Sequence, residues 1–124
     1  MPDQVRLVMP ADPEFLRLAR VTAMGLASRL SFTLDEIDDL RIAIDELLFG
    51  LMGTRGRPGT VSMTYSVHER SLEVVGTGAF DDGLPTAGLT ELSELILDAV
   101  ADEHALTTTD GAPSFRLLKR RIEV

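Results

Sequence analysis

Hydrophobic alternation along the chain predicts five β-strands. The clearest is residues 60–67, where apolar side chains share one face and hydroxyl side chains share the other: Val61, Met63, Tyr65 and Val67 against Thr60, Ser62, Thr64 and Ser66. This alternation is typical of a strand with one face on a core and the other in solvent. The remaining predicted strands cover residues 4–9, 72–75, 105–109 and 114–122.

Helical spacing and capping residues predict three helices. Asp12 and Pro13 suit a helix start, because Asp caps free backbone N–H groups and Pro fits the first turn; that helix extends to about Leu30. Thr33 and Glu36 form the pattern of a capping box, which opens a second helix that runs to about Met52. The third helix covers residues 89–102, with an inward set of Leu89, Leu92, Ile96, Ala99 and Val100.

The order of these elements, β-α-α-β-β-α-β-β, predicts the fold class. Hydroxyl side chains line one face of the strand at 60–67, so helices can cover only the other face of the sheet. We therefore expect an α+β, two-layer sandwich: a mostly antiparallel sheet with three helices on one face, in a single domain over residues 1–124.

Composition and charge narrow the function. The 124 residues carry a net charge of −8 and no cysteine, which argues against direct binding of nucleic acid and excludes disulfides. The one basic cluster, residues 119–121, is interpreted as a solvated strand end. No apolar run approaches the ~18 residues of a membrane helix, and no apolar leader follows Met1, so a cytoplasmic protein is expected. His68 and His104 lack companions at ligand spacing, and no metal site is predicted.

Three stretches resemble a known family. Residues 12–30 (DPEFLRLARVTAMGLASRL) resemble the first helix of the anti-sigma serine kinases, which share the histidine-kinase-like ATPase (Bergerat) fold. Residues 32–46 (FTLDEIDDLRIAIDE) resemble their second helix. Residues 95–120 (LILDAVADEHALTTTDGAPSFRLLKR) resemble their closing helix-strand-turn-strand. The resemblance covers nearly the whole chain, and the second helix is its most specific part.

The resemblance implies an ATP site whose residues have largely changed. It places the family's general base at Glu46 and the asparagine that holds Mg²⁺ at Gly50, which has no side chain to ligate a metal. The family's adenine-binding aspartate falls at Val75, with Thr77 and Ala79 in glycine positions, or at Gly76 if the motif shifts by one; neither alternative supplies a carboxylate.

The last family motif, a glycine before the third helix, matches Gly88. Gly50, Gly78 and Gly88 are therefore interpreted as degenerate ATP-site positions and Glu46 as a relic base. No cofactor is expected, and ATP with Mg²⁺ would bind only if the changed site still works.

Ile42 and Phe49 interrupt the acidic face of the second helix. Asp35, Asp38, Asp39, Asp45 and Glu46 make up that face. The two apolar side chains either plug the former nucleotide pocket, which is the favoured interpretation, or contact a partner.

The first helix carries apolar residues outside its core face. Val21 and Met24 fall there with Leu18, beside Arg17 and Arg20. Because a solvated face is normally polar, we expect a protein contact around Arg17, Arg20, Val21 and Met24. The resemblance implies that Arg20 contacts both the sigma factor and its antagonist; a solvated arginine is the alternative.

Three functional hypotheses follow. The first is a binding module that sequesters a sigma factor and is released by an anti-anti-sigma antagonist protein, with ATP binding lost. The second is an ATP-dependent serine kinase that phosphorylates the antagonist at a drifted site. The third is a non-catalytic partner that dimerises with an active paralogue. The resemblance also implies a homodimer through the first strand and helix, and no membrane partner is expected.

Overall fold

Residues 3–122 are described by a computed structural model, which contains one five-stranded antiparallel sheet. The strands are β1 (Asp3–Pro10), β2 (Gly59–Val67), β3 (Ser71–Phe80), β4 (Glu103–Thr109) and β5 (Ala112–Arg120), in the spatial order β1-β2-β3-β5-β4. The helices are α1 (Leu16–Arg29), which follows a 3-10 turn at Pro13–Phe15, α2 (Leu34–Met52) and α3 (Glu91–Val100). The predicted order of elements is confirmed.

The helices pack on one face of the sheet, as the alternation at 60–67 predicted. Val61, Met63 and Tyr65 point into the core and are fully buried. On the other face of the strand Thr60 is exposed and Ser62 and Thr64 are half-buried, while Ser66 is buried and accepts a hydrogen bond from Gln4. α1 contacts β2, α2 contacts β3, β4 and β5, and α3 contacts β4. The fold is thus a two-layer α+β sandwich. Among the described residues, no helix has the length and apolar character needed to cross a membrane.

The predicted start of α2 is confirmed, whereas the predicted start of the first helix is a 3-10 turn that precedes α1. Asp12 accepts a hydrogen bond from the backbone N–H of Glu14 and so caps the 3-10 turn. Thr33 and Glu36 form the capping box of α2: Thr33 Oγ1 accepts from the N–H of Glu36, and Glu36 Oε1 accepts from the N–H of Thr33. Local hydrogen-bonding chemistry therefore fixes where the 3-10 turn and α2 begin, while α1 itself starts at Leu16 without a side-chain cap.

Several predicted boundaries were wrong. β3 runs to Phe80 rather than to residue 75, because Gly76 and Gly78 continue the ladder. β5 covers residues 112–120 rather than 114–122. α3 begins at Glu91 rather than at residue 89, because Thr90 caps it by accepting from the N–H of Ser93.

The predicted inward set of α3 was also partly wrong. Leu97 is the buried residue of this helix and was not in that set. Leu92, which was in it, is 66% exposed, and Ala99 is exposed as well. Leucines occur on both sides of this short helix, so spacing alone does not identify the side that meets the sheet.

Two buried polar side chains link the sheet to the helices by hydrogen bonds. The hydroxyl of the buried Tyr65 donates to the carbonyl of Ala19 in α1, over 2.9 Å. Lys119 was interpreted as part of a solvated strand end, but it is buried: its Nζ donates to the carbonyl of Val100, over 2.8 Å, and lies 3.4 Å from a carboxylate oxygen of Asp39. It thereby ties β5 to the end of α3 and to α2.

Candidate functional site: the α2–α3 junction and the outer surface of α1

The structure brings together the residues that sequence analysis assigned to a nucleotide site on α2 and before α3. The α2–α3 junction is defined here by Glu46, Gly50, Gly88 and Leu89. A methyl group at Gly50 would lie 3.5 Å from the carbonyl oxygen of Gly88. Gly88 has a φ of +81°, a conformation that glycine adopts without strain, and it turns the chain into α3.

Glu46 is engaged by the start of α3. Its Oε2 accepts a hydrogen bond from Ser93 Oγ over 2.8 Å, and Ser93 Oγ in turn accepts from Thr90 Oγ1 over 3.0 Å. Thr90 is the residue that caps α3. The carboxylate of Glu46 therefore fastens the first turn of α3 to α2.

Apolar side chains fill the space in front of Gly50. A methyl group there would lie 2.8 Å from Cδ2 of Leu89 and 3.2 Å from Cδ2 of Leu106. Position 50 thus lacks a side-chain oxygen ligand for Mg²⁺, and a larger side chain there would have to displace these leucine methyl groups. From the sequence, Ile42 or Phe49 was expected to plug the former nucleotide pocket. Phe49 is partly buried against the core, and whether either residue narrows a nucleotide pocket stays a prediction.

The register of β3 shows which way the two candidates for the adenine-binding position face. Gly76 lies beside Met63 and Phe115, both fully buried, so it faces the helix layer. Val75 lies beside Thr64 and Arg116 and faces the open side of the sheet. Neither residue offers a carboxylate to an adenine, and which of the two matches the family's aspartate stays a prediction.

Aromatic rings occupy the space that the two glycines of β3 leave open. A methyl group at Gly76 would collide with the ring of Phe115, and one at Gly78 would collide with the ring of Phe80. The glycines are thus required by the packing of this chain's own side chains. The ring of Phe80 occupies the space beside Gly78, one of the predicted cofactor positions.

Arg57 holds Phe80 and the loop that follows it. Its guanidinium lies 4.0 Å from the ring centroid of Phe80 and pairs with both carboxylate oxygens of Asp82, at 2.6 and 3.0 Å. It also donates to Thr86 Oγ1 and to the carbonyl of Leu84. Hydrogen bonding from Arg57 lowers the pKa of Asp82 to about 2, so the pair stays ionised across the usual pH range.

A cavity of about 400 Å³ lies beside this loop. Its lining consists of Arg57, Phe80, Gly83, Leu84, Pro85, Thr86, Thr108, Gly111 and Pro113. Glu46 and Gly50 are not part of that lining. Neither position that the resemblance assigns to ATP and Mg²⁺ offers a suitable side chain: Gly50 supplies no metal ligand, and neither Val75 nor Gly76 supplies a carboxylate.

The predicted partner residues lie on one side of α1, but in different environments. Arg17 is exposed and Val21 is 57% exposed. Met24 is half-buried, and Arg20 forms an ion pair with Asp45 of α2, with Nε 2.7 Å from Oδ1. The α1 outer surface, defined by these four predicted residues, is thus partly apolar and has a fixed guanidinium at its border with α2.

One cluster that sequence analysis missed joins α3 to β4. Nε2 of His104 lies 2.8 Å from Asp98 Oδ1 and 3.8 Å from Glu94 Oε2. Its Nδ1 is buried with no hydrogen-bond partner among the described residues. A metal-bound histidine normally donates from its other nitrogen, so the cluster suits a hydrogen bond better than a metal. Acidic residues four apart on a helix, followed by a histidine on the returning strand, were the available signal.

Comparison with known proteins finds relatives among bacterial serine-protein kinases. The chain is 37% identical over 76 residues to serine-protein kinase RsbW of Bacillus subtilis. The aligned region covers 59% of this chain and 48% of the relative. It is 33% identical over 87 residues to the kinase of that name from Bacillus pumilus, covering 64% and 54%. It is 30% identical over 77 residues to that from Halalkalibacterium halodurans, covering 61% and 48%.

The chain spans about half the length of these curated relatives. No protein-family profile matches it. The similarity confirms the resemblance to the serine-kinase family that the three sequence stretches indicated.

Proposed function

We propose that this chain is an anti-sigma regulatory factor that acts by binding rather than by phosphorylation. It sequesters a sigma factor, and an anti-anti-sigma antagonist releases that sigma factor by competing for the chain. The observation that carries the proposal is a kinase-like sequence combined with a junction whose side chains do not suit a nucleotide: Leu89 and Leu106 fill the space at Gly50.

The state of Glu46 supports a role without catalysis. A general base must reach the proton that it removes, within hydrogen-bond distance of the substrate. Here the carboxylate accepts from Ser93 and joins two helices. The residue is thus used for packing of α3, which gives a physical reason for its presence in a chain that does not transfer phosphate.

The α1 outer surface supports a protein partner. Leu18 and Val21 are 50% and 57% exposed on the same helix as the exposed Arg17. The ion pair with Asp45 holds the Arg20 guanidinium in place before any partner arrives, and a side chain that is already ordered loses less entropy on binding. Arginines are enriched at binding hot spots, and neighbouring contacts help by excluding water from them.

A homodimer is part of the same proposal, through β1 and α1. Among residues 3–122, β1 is an edge strand of the sheet and pairs with β2 alone. Its residues are mostly exposed, and Val8 projects from the open face of the sheet. An edge strand of this length is a ready template for pairing with a second chain.

The direct test is titration of the chain with the purified sigma factors and anti-anti-sigma proteins of its source organism, in buffer free of nucleotide. We expect one sigma factor to bind and one antagonist to displace it. Addition of ATP and Mg²⁺ should leave both affinities unchanged. Binding that requires ATP, or no binding to any sigma factor under either condition, would overturn the proposal.

A serine kinase acting on the antagonist is the second candidate, because the relatives carry that name. The test is transfer of labelled phosphate from ATP to each purified antagonist. Under our proposal the chain and its Glu46→Ala variant give the same background signal. Transfer that the wild-type chain catalyses and Glu46→Ala does not would establish the kinase instead.

A further inference from the structure

α3 exposes a row of apolar side chains on the face that points away from the sheet. Leu92 and Leu95 are each 66% exposed, and Ala99 is exposed beside them. Their spacing of three and four residues sets them side by side on the helix surface. These three residues are called the α3 stripe below.

An acidic row runs beside the α3 stripe. Glu91, Glu94 and Asp98 follow the same spacing of three and four residues, and all three are exposed. At about 100° per residue, this row lies between the α3 stripe and the buried Leu97. The helix thus presents an apolar strip with carboxylates along one border. His104 lies 2.8 Å from Asp98 and 3.8 Å from Glu94, and both acidic side chains still keep more than half of their surface exposed.

The folded chain does not need the α3 stripe to hold α3 in place. Leu97 is fully buried and Val100 packs partly buried against the core. Thr90 caps the first turn, Ser93 binds Glu46, and Lys119 binds the carbonyl of Val100 at the last turn. Leucines so exposed gain nothing from burial in the monomer, and contiguous exposed apolar groups mark interaction sites.

We propose that the outer face of α3 is a docking surface for a basic amphipathic helix of another protein. The apolar face of such a helix would cover the α3 stripe, and lysines or arginines on its flank would meet the acidic row. This helix-on-helix mode uses apolar anchors at the same spacing of three and four residues. Charge sets the choice of occupant, since complementary potentials favour a basic partner.

A second copy of this chain is the less suitable occupant. Its net charge is −8, and pairing two α3 faces would bring two acidic rows together, which repel. The surface is also separate from the α1 outer surface, because α2 lies between α1 and α3 and contacts both. The inference therefore stands independently of the proposed sigma-factor binding at α1.

The test uses the full chain and a synthetic helical peptide of about 18 residues, with leucines on one face and lysines on its flanks. A peptide of the same composition with its amphipathic order scrambled, and one with glutamates in place of lysines, serve as controls. Binding is followed by fluorescence anisotropy, and the surface is located by amide shift changes in NMR spectra. We expect only the basic amphipathic peptide to bind, with shift changes centred on residues 91–99.

A leucine on another helix gives a matched control variant. Leu92→Ser combined with Leu95→Ser should weaken binding of the basic peptide about tenfold or more. Leu34→Ser, at a leucine of α2 that is 83% exposed, should leave it unchanged. Equal binding by wild type and the double variant would overturn the proposal, as would equal binding of the scrambled peptide. Self-association of the wild type that the double variant loses would assign the surface to a second copy instead.

Discussion

Glu36 links two distant parts of the chain through one buried carboxylate. Its side chain, 2% exposed, accepts hydrogen bonds from the N–H of Thr33 at the start of α2 and from the N–H of Ile122 beyond β5. Burial acts to raise the pKa of Glu36, but the hydrogen bonds from Thr33 and Ile122 outweigh it and lower the pKa below its ordinary value of 4.5. The ionised carboxylate is therefore the form that stabilises the fold.

The Glu36→Gln variant tests this role through its pH dependence. A glutamine side chain keeps one oxygen acceptor, but its NH₂ group then faces the second backbone N–H, and two donors cannot bond to each other. We therefore expect a loss of about 2 kcal/mol of unfolding free energy at neutral pH. Because the folded pKa is lowered, the contribution of Glu36 is complete above pH 4.5 and disappears as the pH falls through the folded value. Urea unfolding at a series of pH values should show that the difference in unfolding free energy between the variant and the wild type becomes smaller below pH 4.5.

Asp35→Asn, at an exposed neighbour on α2, is the matched control and should change stability little. A gap for Glu36→Gln that stayed constant down to the lowest pH at which both proteins fold would contradict the assignment.

Gly50 is the residue at which the packing of the α2–α3 junction can be tested. Restoring the family's asparagine should not restore a metal site, because Leu89 and Leu106 occupy the space. We expect Gly50→Asn to lose about 1–3 kcal/mol through overpacking and to gain no binding of ATP and Mg²⁺. Gly25→Asn is the matched control, since nothing lies within 4 Å of a methyl group there, and it should retain stability. A stable Gly50→Asn protein that binds the nucleotide would show that the site is open.

At the scale of elements, α2 is the central helix, and carboxylates on its flanks bond to the elements packed beside it. Asp45 pairs with Arg20 of α1, Glu46 binds Ser93 of α3, and Asp39 lies near Lys119. Sequence analysis placed these carboxylates on an acidic face opposite the core. The structure shows that part of this face is the border between α2 and the elements packed beside it.

Variants of α1 separate partner binding from stability. Arg20→Ala should weaken binding of the sigma factor by about 2 kcal/mol, while the loss of its partly exposed ion pair with Asp45 should cost no more than about 1 kcal/mol of stability. Met24→Asp should weaken binding as well. Unfolding curves and partner titrations measure the two effects.

Asp45→Asn provides the control for Arg20, because it breaks the ion pair and leaves the guanidinium in place. If Arg20→Ala and Met24→Asp bound sigma factor, antagonist and a second copy with unchanged affinity, the α1 outer surface would have to be abandoned.

At the scale of the whole molecule, local signals predicted most of the fold. The caps at Asp12 and Thr33 and the alternation at 60–67 each reflect chemistry within a few residues, and each is confirmed. The two-layer arrangement followed because only one face of the sheet could be covered.

The candidate site was less predictable, because its contacts join residues far apart in sequence. Gly76 and Gly78 were interpreted as remnants of a nucleotide motif, whereas the rings of Phe115 and Phe80 require glycine there. The bond between Glu46 and Ser93 spans two helices. The burial of Lys119 depends on where α3 ends. None of these relations leaves a periodic signal in the sequence.

Calorimetric titration of the folded chain with ATP, in the presence of Mg²⁺, tests the central claim most directly. The account predicts no saturable heat up to millimolar nucleotide, since position 50 offers no metal ligand, position 76 offers no carboxylate, and Leu89, Leu106, Phe80 and Phe115 fill the surrounding space. A saturable isotherm with one nucleotide per chain and a micromolar Kd would contradict it.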